Sequence, residues 1–228
     1  MAGRIYAITG AFGALGRAVA EAAAAEGARL ALIDFAPKAP DGLPKDALVL
    51  AGVDLTDAVS AGAAMDAIAD RFGGLDALFN IAGGFRWETL EGGSYESWPA
   101  LYRMNVLTAA NAARAAIPHL KRSASGRIVN VGANAALKAA AGMGPYAASK
   151  AGVHALTQSL AEELKSDGVT VNAVLPSILD TPTNRADMPK ADVSAWVAPA
   201  DLAAVMLFLA SEAGKAVTGA LVPVTGRV

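Results

Sequence analysis

Seven short apolar runs punctuate the chain: Ile5 to Thr9, Arg29 to Asp34, Ala47 to Val53, Ala77 to Ile81, Arg127 to Ala133, Thr170 to Leu175 and Leu221 to Val224. They are rich in Val, Ile and Leu and lack strict polar alternation, the pattern of strands covered on both faces. Ala-rich amphipathic stretches lie between them and predict helices over Ala14 to Glu26, Asp57 to Arg71, Trp98 to Lys121, Pro145 to Ser166 and Pro199 to Ser211. Alternating strand and helix predict an α/β fold, a doubly wound parallel sheet of about seven strands with helices on both faces. Two connections, Gly83 to Ser97 and Pro176 to Ala198, are long and irregular. Both follow strand C-termini, where ligands bind in this architecture.

Composition narrows the function. With 228 residues, 54% hydrophobic and 18% charged, the chain can bury a sizeable core and fits a single domain over 1–228. No apolar run is long enough to span a bilayer, and Ile5 to Thr9 leads into glycines rather than a cleavage site, so the expectation is a soluble, cytoplasmic protein without membrane contact. The absence of cysteine excludes disulfides, thiol catalysis and cysteine-ligated metal. Two isolated histidines, His119 and His154, supply neither a zinc site nor a Ser-His-Asp triad, so no metal is expected and both read as ordinary helix residues. A net charge of -2 gives no basic field for nucleic acid. Lys121, Arg122 and Arg127 read as a solvated loop.

The first predicted strand runs into Thr9-Gly10-Ala11-Phe12-Gly13-Ala14-Leu15-Gly16-Arg17 and then a helix. Glycines at such a junction permit a tight turn and let a pyrophosphate approach backbone N–H groups at a helix N-terminus, which makes the sheet Rossmann-type. Gly10, Phe12, Gly13, Ala14, Leu15 and Gly16 are therefore candidate cofactor-binding residues. Asp34 ends the second run. A carboxylate there accepts both hydroxyls of an adenosine ribose and repels a 2′-phosphate, which favours NAD(H) over NADP(H), although Lys38 leaves NADP(H) as the weaker option. Tyr146 and Lys150 stand one helical turn apart, a phenol and an ammonium able to serve one ligand.

With these motifs the whole chain resembles the short-chain dehydrogenase/reductase family. Thr9-Gly10 with Gly13 and Gly16, Val53-Asp54, Asn80-Ile81-Ala82-Gly83, Asn105, Tyr146 with Lys150, and Pro176 through Thr181 carry the resemblance. It implies that Asp54, with Val53 beside it, meets the adenine amino group and that Asn80, Ala82 and Gly83 line the cofactor. It further implies that Asn105 holds a water connecting Lys150 to solvent, and that Lys150 binds the nicotinamide ribose and lowers the pKa of Tyr146, the proton donor in reduction. Pro176, Ile178 and Thr181 complete the cofactor site, and the family implies a homodimer or homotetramer, for which the small-residue faces of Trp98 to Lys121 and Pro145 to Ser166 are suited.

Two departures stand out. The glycine spacing is T-G-x-x-G-x-x-G, and Ala133 occupies the position of the family serine that hydrogen-bonds a substrate carbonyl. Gly13 to Gly16, Gly132 to Leu137, Gly142-Met143 and Asp180 to Asp192 are similar to the dihydropteridine reductases, including the alanine, whereas Asn80 and Asn105 follow the broader family. The small-molecule substrate expected is then an electrophile such as a quinonoid dihydropterin, which tolerates the missing donor. A simple ketone would lose about 3 kcal/mol of transition-state stabilisation. The alternatives are a carbonyl reductase or alcohol dehydrogenase in which Asn134 or water replaces the serine, and a non-enzymatic NAD-binding protein. Phe85, Trp87 and Trp196 can form an aromatic lid or pack on the core, and Asn184 with Arg185 can read a polar ring edge or only fix its loop. Trp98 and Tyr102 read as core.

Overall fold

The computed structural model describes residues 3–228, so residues 1 and 2 of the expected domain lie outside the described residues. Strands β1 (Ile5–Thr9), β2 (Arg29–Ile33), β3 (Leu48–Leu50), β4 (Ala77–Asn80), β5 (Arg127–Val131), β6 (Thr170–Pro176) and β7 (Leu221–Val224) form one sheet in the order β3-β2-β1-β4-β5-β6-β7. Every pairing is parallel. The winding reverses between β1 and β4, and the crevice beyond their C-terminal ends is the place where such a sheet receives a ligand.

Alternate strand residues feed two cores, which is why the runs show no polar alternation. Ile5, Ala7, Leu78, Ile128 and Val171 face α2 (Ala58–Phe72), α4 (Thr108–Leu120) and α5 (Gly144–Glu163), while Tyr6, Ile8, Phe79, Val129 and Val174 face α1 (Ala14–Ala25) and α7 (Pro199–Ala210). Two short helices, α3 (Ser97–Tyr102) and α6 (Pro182–Asp187), sit in the connections at the C-terminal edge. Asp57 starts α2 by accepting from the Val59 and Ser60 amides, and Gly73 at φ 86° stops it in a conformation that suits glycine.

Several boundaries differ from the pattern of the sequence. β2 stops at Ile33 and β5 at Val131, so Asp34 and Ala133 both stand past the strand ends, at the C-terminal edge of the sheet. β3 contracts to three residues. The single helix expected over Trp98 to Lys121 is α3 and α4 joined by a π turn, Arg103–Leu107, in which the Thr108 amide bonds Arg103 O, five residues back. Met104 O instead receives the Thr108 hydroxyl at 2.7 Å. Trp98 and Tyr102 are 41% and 50% exposed, not core, because Ser97 and Leu101 occupy the inward face. Arg127 is buried rather than solvated, and Lys121 pairs with Asp167 at 2.7 Å.

Candidate active site

The glycine turn is shaped by backbone contacts that leave no room for a Cβ. Gly10 takes φ 63°, and a Cβ there would lie 2.8 Å from Ala82 N; one on Gly16 would strike the Gly10 carbonyl and come within 2.6 Å of Ala11 Cα. Gly13 differs: its nearest neighbour is Gly10 O at 3.5 Å, and it N-caps α1 without a side chain. The first-turn amides of α1, from Ala14 and Leu15 onward, are thus uncapped by any side chain and face a glycine floor, which fits a pyrophosphate. Phe12 N donates to Asp34 Oδ2 at 2.9 Å and Ala36 N to Oδ1 at 3.0 Å, so the Asp34 carboxylate is fixed against the turn. Val53 N bonds Asp34 O, while Asp54 Oδ1 is held by the Thr56 amide and hydroxyl at 2.8 and 2.7 Å.

Thr9 fastens this turn to the next strand. Its hydroxyl accepts from Ile81 N and Ala82 N at 3.0 and 3.1 Å and lies 3.3 Å from Phe79 O. Asn80 is turned into the fold: Nδ2 donates to Asn130 Oδ1 at 2.9 Å, and Asn130 Nδ2 to Thr157 Oγ1 at 2.8 Å. Its side chain therefore ties β4 to β5 and α5 instead of lining the crevice. Ala82 and Gly83 follow at the rim, and a Cβ on Gly83 would sit 2.5 Å from Asn105 Oδ1 and 3.4 Å from Lys150 Nζ.

Asn105 projects from the π turn, and its amide is fully engaged. Oδ1 accepts from Gly84 N at 2.9 Å, while Nδ2 donates to Gly84 O at 3.1 Å and to Ser149 Oγ at 2.9 Å. Ser149 in turn donates to Tyr146 O at 2.7 Å. The Asn105 side chain thus binds the Gly84 backbone and the first turn of α5 directly.

Tyr146 is half-buried and Lys150 is buried, both on α5. Lys150 Nζ donates to Val131 O at 2.8 Å, and burial lowers the ammonium from its ordinary 10.5 to about 8. Burial pushes the Tyr146 phenol up to about 12, opposite to the lowering expected from Lys150. In the cofactor-free chain desolvation of the phenol is the cause of the rise, and the Lys150 ammonium is engaged by a strand carbonyl. Ala133 is 2% exposed, and its amide donates to His154 Nε2 at 3.3 Å. Neither its side chain nor its N–H is free for a substrate oxygen. Asn134 opens a 3-10 turn, Asn134–Ala136, and its side-chain amide bonds no other group among the described residues.

Two loops wall this crevice. The Phe85 ring meets Tyr146 edge-on, centroids 4.8 Å apart at 85°. Trp87 Nε1 donates to Ala141 O at 3.1 Å and Glu88 N to Gly142 O at 2.9 Å, with the indole lying where a Gly142 Cβ would be. Trp196, by contrast, is 8% exposed and lines a separate cleft of about 420 Å³ with Asp180, Asp201 and Arg227, so it is no part of an aromatic lid over Tyr146. Asn184 Nδ2 bonds Leu179 O at 2.8 Å and Arg185 forks onto Asp180 at 2.5 and 2.8 Å, which fixes the loop rather than offering either side chain to a ligand. Thr181 caps α6 through Asn184 N, Ile178 O accepts from Val197 N, and Pro176 closes β6. Ser149 and His154 join the site without being expected there, and Thr9, read only as part of the glycine motif, fastens the turn to β4. Their signals are the Thr before Gly10, the Ser before Lys150, and a His one turn beyond Lys150.

A parallel sheet with this switch point, a glycine turn and a Tyr-Lys helix beside it defines a Rossmann-type dinucleotide-dependent oxidoreductase. A model of the short chain dehydrogenase family matches residues 4–192. The chain is 31% identical to the 3-oxoacyl-[acyl-carrier-protein] reductase FabG of Thermotoga maritima over 98% of this chain and 97% of that one. It is 32% identical to the 2,5-dichloro-2,5-cyclohexadiene-1,4-diol dehydrogenase LinX of Sphingobium indicum (99% and 96%) and 32% to the meso-2,3-butanediol dehydrogenase of Serratia marcescens (98% and 93%). The crystal structure of levodione reductase superposes with a TM-score of 0.88 at 26% identity, covering 99% and 97% of the two chains. The chain belongs to the short-chain dehydrogenase/reductase family and is an NAD(P)-dependent oxidoreductase. Among the described residues no helix is long and apolar enough to cross a membrane.

Proposed function

We propose that this enzyme uses NAD(H) to reduce a small, flat, electrophilic ring of the quinonoid dihydropterin type. The observation that carries this reading is position 133, where the side chain is a methyl group and the N–H is engaged by His154. A substrate that needs a donor there to stabilise a developing oxyanion is disfavoured, whereas an activated ring that accepts hydride unaided is not. Phe85 against Tyr146, with Trp87 pinned across Gly142, supplies flat apolar surface beside the acid.

The bound nicotinamide would supply the hydride. Gly10, Gly13, Gly16 and the start of α1 would hold its pyrophosphate, and Lys150 its ribose. With the phenol near 12, Tyr146 is protonated at neutral pH, the state a proton donor requires, and Oη delivers the proton to the ring atom that has gained electrons. Lys150, still mainly charged below its value of about 8, stabilises the phenolate left behind. The turn-bound Asp34 carboxylate supports NAD(H), since a 2′-phosphate would meet it directly. Exposed Trp98, Tyr102 and Met104 along the start of the helix pair support self-association as a homodimer or homotetramer, which sedimentation would resolve.

A second reading, a carbonyl reductase, is favoured by the unengaged Asn134 amide and by relatives named for oxo and hydroxy substrates. The deciding assay follows NADH oxidation with quinonoid dihydropterin and with a ketone panel, in wild type and Tyr146→Phe. Pterin turnover reduced at least about a hundredfold by Tyr146→Phe, with NADH binding retained, is the expected result. Ketone turnover that depends on Asn134 selects the second reading, and NADPH bound as tightly as NADH overturns the role given to Asp34.

A further inference from the structure

Lys150 and His154 are one turn apart on α5, and both reach the end of β5. Lys150 Nζ holds Val131 O at 2.8 Å, and His154 Nε2 accepts from Ala133 N at 3.3 Å. Two side chains of α5 thus hold the carbonyl of residue 131 and the amide of residue 133, backbone groups of one short segment in which Ala133 is extended (φ -160°, ψ 143°). Between them, Gly132 N bonds Val174 O on β6. A Cβ on Gly132 would lie 2.5 Å from His154 Nε2 and 2.7 Å from Cδ2. The imidazole thus occupies the space that any other residue at 132 would need.

We propose that His154 is a positioning residue of the active site: with Lys150 it clamps residues 131–133 to α5, and so fixes both the ammonium and the turn that carries Ala133 and Asn134. The clamp requires a neutral ring, because Nε2 must accept, and the proton then resides on Nδ1. Burial and the neighbouring Lys150 ammonium both lower the His154 pKa, in that order, which keeps the acceptor available at neutral pH. Lys150 is the charged group acting on the ring; Gly132 and Ala133, and Leu175 of β6 beside Gly132, carry nothing that titrates. Acidification to the point where His154 protonates turns Nε2 into a donor facing the Ala133 N–H and sets a second cation beside Lys150. The clamp opens, and the rate falls on the acid side.

The consequence for rate rests on the enzymatic reading, whereas the clamp itself does not, and the experiment separates them. Nitrogen-15 NMR of the cofactor-free protein should show His154 with Nδ1 protonated at neutral pH, and an Ala133 amide whose exchange protection disappears as His154 titrates. A ring protonated at Nε2, or Ala133 protection that survives titration, overturns the clamp. In kinetics with NADH and quinonoid dihydropterin, or whichever panel ketone is turned over, His154→Leu should lower kcat about tenfold with the NADH dissociation constant unchanged. His154→Gln, which keeps an acceptor and cannot titrate, should restore most of kcat and remove the acid limb. Wild-type kcat in His154→Leu, or an unchanged acid limb in His154→Gln, refutes the positioning role. If His154→Leu fails to fold, the Gln variant and the titration decide alone. Wild type that turns over no substrate sinks the proposed function, while the NMR titration still confirms or overturns the clamp.

Discussion

Replacing Lys150 by methionine is expected to make the cofactor-free protein more stable at neutral pH while abolishing activity. Burial lowers the ammonium from 10.5 to about 8. At 1.36 kcal/mol per pH unit, holding that charge inside the protein costs about 3 kcal/mol at pH 7. Between about pH 8 and 10.5 the unfolded chain keeps a proton that the folded chain has lost, so stability rises with pH across this window. Below pH 8 the full cost is present. Methionine removes the charge but strands Val131 O, which now receives the Nζ bond at 2.8 Å, and an unpaired buried carbonyl costs about 1–2 kcal/mol. The net gain is about 1–2 kcal/mol, a rise in Tm of about 2–8 °C for a chain of this length. Scanning calorimetry at pH 7 and pH 10 tests it: at pH 10 the wild-type cost shrinks below about 1 kcal/mol and the advantage of the variant should vanish or reverse. A variant less stable than wild type at pH 7, or an advantage that persists unchanged to pH 10, refutes burial as the cause of the lowered pKa.

Three further outcomes follow from contacts in the site. Gly16→Ala should cost about 1–3 kcal/mol of stability and weaken NADH binding more than tenfold, because its Cβ would strike backbone at Gly10 and Ala11, whereas Gly13→Ala should be mild; calorimetric titration compares them. Asn105→Ala removes three hydrogen bonds and should destabilise by about 2–4 kcal/mol, and Asn105→Asp should not rescue it in thermal melts, having lost the donor to Gly84 O and Ser149. Gly132→Ala should destabilise strongly in wild type but little in a His154→Ala background, and a double-mutant cycle in denaturant that shows additivity would contradict the overlap between the two positions.

Sheet, winding and glycine turn are legible in the sequence because their causes are local and periodic. Strands covered on both faces must be apolar throughout, and Gly10 and Gly16 are required by backbone approach. Asp34 and Lys150 are legible as residue types at fixed spacings, but their bonding partners, Phe12 N in the glycine turn and Val131 O at the end of β5, are backbone groups that no side-chain pattern reveals. The π turn is hidden because Arg103–Leu107 contains no glycine or proline to mark a break in the Ala-rich run from Trp98 to Lys121. Trp98 and Tyr102 mislead for a related reason: bulk and spacing suggest burial, yet small Ser97 and Leu101 take the inward face. His154 reads in the sequence as a lone helix histidine. Its meaning requires Gly132 and Ala133 to be brought beside it by packing of α5 on β5, a contact between segments about twenty residues apart.

The π turn at Arg103–Leu107 also acts as a phase shifter. A residue added to one helical turn rotates everything beyond it by about 100° relative to an uninterrupted α-helix. The segment that presents Trp98 and Tyr102 outward and the segment that buries Ala112, Ala116 and Leu120 can therefore each keep their own orientation. Shortening the turn by one residue would bring the two halves into a single rotational register, swing Asn105 away from Gly84 and Ser149, and leave either the outer surface or the core misaligned. The insertion lets one rod serve two surfaces whose angular demands differ.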